Sequence, residues 1–99
     1  MTDGTADASI GALRRTLPIG NKRGLHARAA AKFVRTAGQF DALVRVSFKG
    51  QEVSGISIMG LMMLAAGIGS TIELSCSGKQ ATEAMAALSA LVEGKFGEE

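Results

Sequence analysis

Two stretches of strict alternation constrain the fold of this chain more than any other feature of its sequence. In residues 44–49 and 71–76, every second side chain is apolar and its neighbours are polar. Such alternation indicates β-strands that bury one face and leave the other in solvent. The chain must therefore build a sheet, and the segments between the strands must cover its apolar face.

Those segments predict two more strands and three helices. A weak alternation from Leu13 to Ile19 predicts a first strand, and Pro18 predicts a sheet edge because proline cannot donate to a ladder. Apolar residues spaced three and four apart predict a helix over Ala27–Ala37, ended by a left-handed Gly38. The remaining predicted elements are strand Leu43–Lys49, strand Gln51–Ser54, helix Ile58–Ala65, strand Thr71–Cys76 and helix Gln80–Glu93.

The order of the predicted elements, βαββαβα, selects a fold class. We predict an α+β open-faced sandwich, in which a four-stranded antiparallel sheet carries three helices on one face. A chain of 99 residues can bury one core of this kind. Residues 1–11 are small and polar without periodicity, so we predict a flexible N-terminal tail followed by one domain over residues 12–99.

Composition argues against several classes of protein. A net charge of +2 is too small to predict nucleic-acid binding, and Phe48 is the only aromatic residue on a predicted strand. No apolar run approaches ~18 residues and no leader pattern is present, so no membrane insertion is predicted. The single cysteine, Cys76, cannot form an internal disulfide and alternates with inward residues; we predict an inert thiol and a cytoplasmic protein.

The only histidine, His26, precedes the first predicted helix. Free backbone N–H groups and the helix dipole favour anions at such a position, and Arg28 adds a guanidinium suited to phosphate. A lone histidine is more often structural than functional. Here, however, the neighbouring residues support the hypothesis that His26 is a nucleophile that accepts a phosphoryl group. With one histidine and no paired carboxylate, neither a turnover enzyme, a metal site nor a cofactor is predicted.

The run Gly24–Arg28 resembles the active-site signature of the HPr family, the histidine-containing phosphocarrier proteins of the phosphoenolpyruvate-dependent phosphotransferase system (PTS). Ser57–Met62 resembles the family's regulatory-serine signature, at the separation that the family shows. The resemblance implies a carrier that accepts a phosphoryl group on Nδ1 of His26 from phosphorylated enzyme I and passes it to enzyme IIA proteins. It also implies that the backbone N–H groups of Ala27 and Arg28, with the Arg28 side chain, hold the phosphoryl oxygens.

Ser57 has two predicted roles. Its position predicts the N-cap of the second helix. The resemblance implies that, in some lineages, an HPr kinase/phosphorylase modifies this serine to regulate the carrier. Ala29 stands where many family members have proline, so we predict a less rigid start of the first helix.

The second predicted helix is apolar almost all round. Its periodicity assigns Leu61 and Leu64 to the core, which leaves Ile58, Met59 and Met62 as an exposed docking patch. The resemblance implies that this docking patch faces enzyme I and the enzyme IIA proteins. The resemblance and the charge of the arginines add the following residues to the partner-facing surface: Ala27, Ala31, Arg23, Arg28 and Arg35.

Two alternatives stay open from the sequence. The chain could be a regulatory protein-binding module on the same fold whose His26 is never phosphorylated. As a carrier, it could serve either sugar uptake or a nitrogen-related regulatory branch, because the motifs do not separate these two.

Overall fold

A computed structural model of the chain describes residues 12–98. The predicted tail, residues 1–11, lies outside the described residues, as does Glu99. The strands are β1 (Leu13–Pro18), β2 (Leu43–Phe48), β3 (Gln51–Ser54) and β4 (Thr71–Ser77). The helices are α1 (Ala27–Ala37), α2 (Ile58–Met63) and α3 (Ala81–Glu93), followed by one 3-10 turn, Lys95–Gly97. The predicted order βαββαβα and the α+β sandwich are confirmed.

The four strands form one sheet in the order β1-β4-β2-β3, and every neighbouring pair is antiparallel. The register places Val46 of β2 between Leu74 of β4 and Val53 of β3. β1 is an edge strand, as Pro18 predicts, since proline at that position leaves no ladder donor unpaired. This arrangement directs the apolar side chains of neighbouring strands to one common face.

The core lies between that face and the helices. Leu74 of β4, Phe33 of α1, Leu61 of α2 and Leu88 of α3 are fully buried. Each such side chain contributes roughly 1.5–3 kcal/mol of transfer free energy when it leaves water. Cys76 also points into the core, as predicted, and its burial raises the pKa of the thiol.

Two helix ends differ from the predictions. Gly38 is right-handed (φ −69°, ψ −9°), so its predicted left-handed stop is wrong; its N–H still donates to the Val34 carbonyl at 2.9 Å as the helix closes. α2 ends at Met63, before the predicted Ala65, because Ala65 adopts a left-handed conformation with φ 56°. The turn that glycine usually provides is therefore made here by an alanine.

Candidate functional site

His26 is the N-cap of α1, and the turn before it is held against the loop that follows α2. Leu25 N–H donates to the Ala66 carbonyl at 3.0 Å. Gly24 has φ 63°, and a Cβ built on it would lie 2.4 Å from the Ala66 carbonyl oxygen. Because only glycine avoids that overlap, Gly24 lets the two loops meet and thereby fixes the position of His26.

The start of α1 presents backbone donors beside His26. The first intrahelical bond runs from Ala30 N–H to the His26 carbonyl at 2.9 Å, and the His26 side chain makes no capping hydrogen bond. By helix geometry, the N–H groups of Ala27 and Arg28 have no intrahelical acceptor. The sequence prediction placed a phosphate cradle on these two residues, and the structure supplies the free donors there. That they hold a phosphoryl group stays a prediction.

The imidazole of His26 contacts a carboxylate from the far end of the described chain. Nε2 of His26 lies 2.6 Å from Oε2 of Glu98, and both side chains are 18% exposed. A carboxylate only accepts, so the Nε2 atom carries the shared proton. A neutral imidazole with its proton on Nε2 has its lone pair on Nδ1.

The second oxygen of Glu98 is bound as well. Oε1 of Glu98 accepts from Nδ2 of Asn21 at 3.1 Å, and the same amide nitrogen donates to the Gly24 carbonyl at 2.9 Å. Asn21 is fully buried, so its amide is a fixed support for both the carboxylate and the turn before His26.

Several groups act on the charge of Glu98. Desolvation alone raises the pKa of this carboxyl, but hydrogen bonds from Asn21 and His26, the charge of His26 when it is protonated and the charge of Lys32 outweigh it. The net result is a lowered pKa, which favours the carboxylate form.

Lys95–Glu98, which we call the hook, brings Glu98 to His26. Lys95, Phe96 and Gly97 all have positive φ, at 58°, 55° and 75°. Phe96 is fully buried in the core, and its carbonyl accepts from Lys32 Nζ of α1 at 2.7 Å. The buried aromatic side chain and the lysine thus attach the hook to α1.

A cleft of about 280 Å³ adjoins this pair and is lined by Lys22, Arg23, Arg28 and Glu98. Among residues 12–98, none of its three cationic side chains lies within salt-bridge distance of a carboxylate. We call it the basic cleft. Its three cationic side chains outnumber the Glu98 carboxylate that also lines it, and this excess of positive charge favours anions near the start of α1.

The predicted docking residues lie at the surface. Ile58, Met59 and Met62 are 41%, 68% and 38% exposed, whereas Leu61 and Leu64 are buried, as their periodicity predicts. On α1 and in the turn before it, Arg23, Ala27, Arg28 and Arg35 are exposed and Ala31 is half-buried. The sequence analysis missed three further exposed apolar residues: Met63 at the end of α2, and Ile56 and Ile68 in the loops on either side of it.

Ser57 occupies the N-cap of α2, as predicted. Its Oγ accepts from Gly60 N–H at 2.9 Å, and the side chain is half-buried. The hydroxyl therefore has a structural partner in this state.

Within the described part of the chain, no cluster of three His, Cys, Asp or Glu side chains could hold a metal ion. No helix in residues 12–98 is long and apolar enough to span a bilayer.

Comparison with known proteins gives consistent matches. A family model described as the PTS HPr component phosphorylation site matches residues 13–94. The phosphocarrier protein HPr of Cupriavidus necator is 54% identical over 86 residues, covering 87% of this chain and 97% of that protein. The phosphocarrier protein NPr of Shewanella violacea is 44% identical over 86 residues, covering 87% and 94%. HPr-C-His from Thermoanaerobacter tengcongensis superimposes with a TM-score of 0.84 at 45% identity, over 88% of this chain and 98% of that one.

Proposed function

Because this chain belongs to the HPr family of phosphocarrier proteins of the phosphotransferase system, we propose that His26 accepts a phosphoryl group from phosphorylated enzyme I and passes it to enzyme IIA proteins. The observation that supports this most directly is the state of the imidazole. Its Nε2 atom is engaged by Glu98 at 2.6 Å, which leaves Nδ1 as the nitrogen with a lone pair to donate.

The chemical step needs positioning and charge stabilisation more than acid–base chemistry. The Nδ1 lone pair of His26 forms the N–P bond while the bond from phosphorus to the donor protein breaks. The ring proton stays on Nε2, so the ring gains a positive charge that the Glu98 carboxylate offsets. Transfer to the next protein reverses these changes and returns a neutral imidazole.

Charge from α1 and the basic cleft stabilises the transferred group. The backbone N–H groups of Ala27 and Arg28 point from the start of the helix, where the helix dipole favours anions. The Arg28 guanidinium lines the adjoining cleft without a salt-bridge partner among the described residues. The several N–H donors of the guanidinium can bind the oxygens of the phosphoryl group during transfer.

Partner recognition is assigned to the surface around α2. The docking patch (Ile58, Met59, Met62) offers adaptable apolar contact, and the exposed Arg35 on α1 suits an acidic partner surface. Ala27 and Ala31 are small enough to let a partner approach α1 closely. Enzyme I and the enzyme IIA proteins would use this one surface in turn.

Ser57 is proposed as a regulatory site for an HPr kinase/phosphorylase. A phosphate on Oγ would place about two negative charges next to the docking patch and oppose an acidic partner. Oγ uses one lone pair to accept from Gly60 N–H at 2.9 Å, and its second lone pair is available to attack a phosphoryl donor.

The proposal covers sugar uptake and a nitrogen-related regulatory branch, because relatives named HPr and NPr both match most of this chain. We also propose a cytoplasmic location, which suits the single buried thiol of Cys76. The alternative function is a protein-binding module, in which enzyme I would add no phosphate to His26.

The deciding experiment is incubation with enzyme I and phosphoenolpyruvate, followed by intact-mass measurement. We expect one added phosphate that is labile in acid and stable in base, and none on His26→Ala. Labelling of His26→Ala would overturn the assignment, and an unlabelled wild-type protein would favour the binding module. Subsequent transfer to enzyme IIA proteins of the two branches assigns the branch.

A further inference from the structure

We propose that Glu98 is a positioning residue whose carboxylate holds the Nε2 proton of His26 and so selects Nδ1 as the reactive nitrogen. This inference rests on the proposed phosphorylation of His26 and deepens it. The segment matched by the family model ends at residue 94, before the hook begins.

The geometry of the pair is that of a strong hydrogen bond. The 2.6 Å separation between Nε2 of His26 and Oε2 of Glu98 is short for a nitrogen–oxygen pair, as expected when the acceptor is ionised. Both side chains are 18% exposed, so water competes weakly for either group. The two neutral tautomers of a free imidazole are close in energy, and a fixed acceptor at one nitrogen decides between them.

The carboxylate is itself fixed by contacts that do not involve His26. Its other oxygen accepts from the fully buried Asn21 at 3.1 Å, and Glu98 N–H donates to the Lys95 carbonyl at 2.8 Å. Lys32 Nζ holds the Phe96 carbonyl at 2.7 Å. These three hydrogen bonds fix the hook and its carboxylate through groups other than His26.

The hook also keeps an unfavourable backbone conformation. Lys95 and Phe96 are not glycines, yet both lie in the left-handed region, with φ 58° and 55°. That conformation costs free energy for residues with a Cβ and persists only where surrounding contacts compensate. Here the compensation is the burial of Phe96, and the result is a carboxylate delivered to His26.

During transfer, this arrangement has a second effect on the imidazole. When Nδ1 bonds to phosphorus, the ring becomes a cation with its proton still on Nε2. Glu98 offsets that charge without taking the proton, so no proton has to leave the site. The residue acts through His26 and touches no atom of the phosphoryl group.

The first test measures the tautomer directly, from the ring ¹⁵N resonances of neutral, unphosphorylated His26. We expect the Nε2–H tautomer in the wild-type protein and in Glu98→Gln, whose amide oxygen can accept the same bond. Glu98→Ala should show a mixture of both tautomers. Glu83→Gln, an exposed glutamate on α3, is the matched control and should resemble the wild-type protein. Unchanged tautomer populations in Glu98→Ala would overturn the inference.

The second test separates positioning from docking in transfer from phosphorylated enzyme I. Glu98→Ala should lower kcat roughly ten- to a hundredfold with little change in KM, and Glu98→Gln should recover part of the loss. If Glu98→Ala transferred at the wild-type rate or faster, Glu98 would either not assist transfer or would obstruct the basic cleft. Either result would overturn the inference.

A loosened hook could mimic these effects, and Lys32→Met addresses this. It removes the bond to Phe96 and the positive charge near Glu98 but keeps the Glu98 side chain, so thermal melts of both variants report how firmly the hook is held. A tautomer mixture in Glu98→Ala at wild-type melting temperature supports positioning; a loss of kcat explained wholly by unfolding contradicts it. If the wild-type protein accepts no phosphate, the proposed function fails, while the tautomer measurement still decides the role of Glu98.

Discussion

Gly24 and Ala66 approach each other so closely that a Cβ on Gly24 would stand 2.4 Å from the Ala66 carbonyl oxygen. The next nearest atom, the Gly67 Cα, would lie at 2.7 Å. Both are backbone atoms, so no flexible side chain can move aside. The glycine of the signature is thus explained by contact between two loops, one of which positions His26.

Gly24→Ala should therefore be costly. We expect a loss of about 2–4 kcal/mol in the free energy of unfolding, from left-handed strain together with the backbone overlap. Gly50→Ala is the matched control, because Gly50 also has a positive φ but no atom within 4 Å of its added Cβ. Urea denaturation should give that control a loss of only about 1–2 kcal/mol. Equal losses in the two variants would mean that the close approach is unimportant.

Arg28→Glu should slow phosphoryl transfer with little effect on folding. The substitution puts a negative charge next to the incoming phosphoryl group, and loss of one well-placed charge stabiliser costs about 10²-fold or more in rate. Arg28 is exposed and lies at the start of α1, where a carboxylate is compatible with the helix dipole. Stopped-flow transfer from phosphorylated enzyme I gives the rate, with Lys79→Glu as an exposed control of equal charge change. Equal rates in both variants would show that Arg28 does not stabilise the transferred phosphoryl group.

Charge in or beside the docking patch should weaken binding without destabilising the fold. Ser57→Asp preserves an N-cap, and Met59→Glu changes a side chain that is 68% exposed. Each should reduce affinity for enzyme I by about 1–2 kcal/mol, measured by titration calorimetry and paired with thermal melts. Leu43→Glu, on a comparably exposed apolar residue of β2, should leave affinity unchanged. If both Ser57→Asp and Met59→Glu kept the wild-type affinity, α2 would lie outside the interface with enzyme I.

The stabilisation contributed by Glu98 should depend on pH. Its pKa is lowered from 4.5, because hydrogen bonds and nearby positive charges outweigh desolvation. A carboxyl whose pKa falls on folding stabilises the native state above the unfolded pKa, and loses that effect as pH falls through the folded pKa. The difference in melting temperature between the wild-type protein and Glu98→Gln should therefore shrink as pH drops below 4.5. A difference that stays constant through this range would contradict an ionised Glu98 carboxylate in the native state.

Local patterns in the sequence were sufficient for most of the fold. The bounds of α1 and β3 agree with the predictions at both ends, because periodicity and turn residues act over a few neighbours. Glycine, by contrast, was an unreliable marker of left-handed backbone. Gly38 continues the helical conformation, and Ala65 makes the left-handed turn that ends α2. At both positions the backbone departs from the local preference of the residue.

The candidate site could be predicted from the sequence only where its residues are close together in the chain. His26 and Arg28 share one short motif, so the sequence indicated both. Glu98 reaches His26 across 72 positions, and no local pattern reports such a contact. The available signal was Phe96, a large apolar residue beyond the end of the last predicted helix, which implies a segment folded back onto the core.

The exposed methionines give this protein an unequal sensitivity to oxidants. Met59, Met62 and Met63 of α2 face solvent, whereas Met85 of α3 is buried. Conversion of a thioether to a sulfoxide makes an adaptable apolar side chain polar. Peroxide would thus reach the surface proposed to recognise partners before it reached the core. Oxidative damage would then separate the carrier from its partners while its imidazole stayed intact, and methionine sulfoxide reductases could restore it.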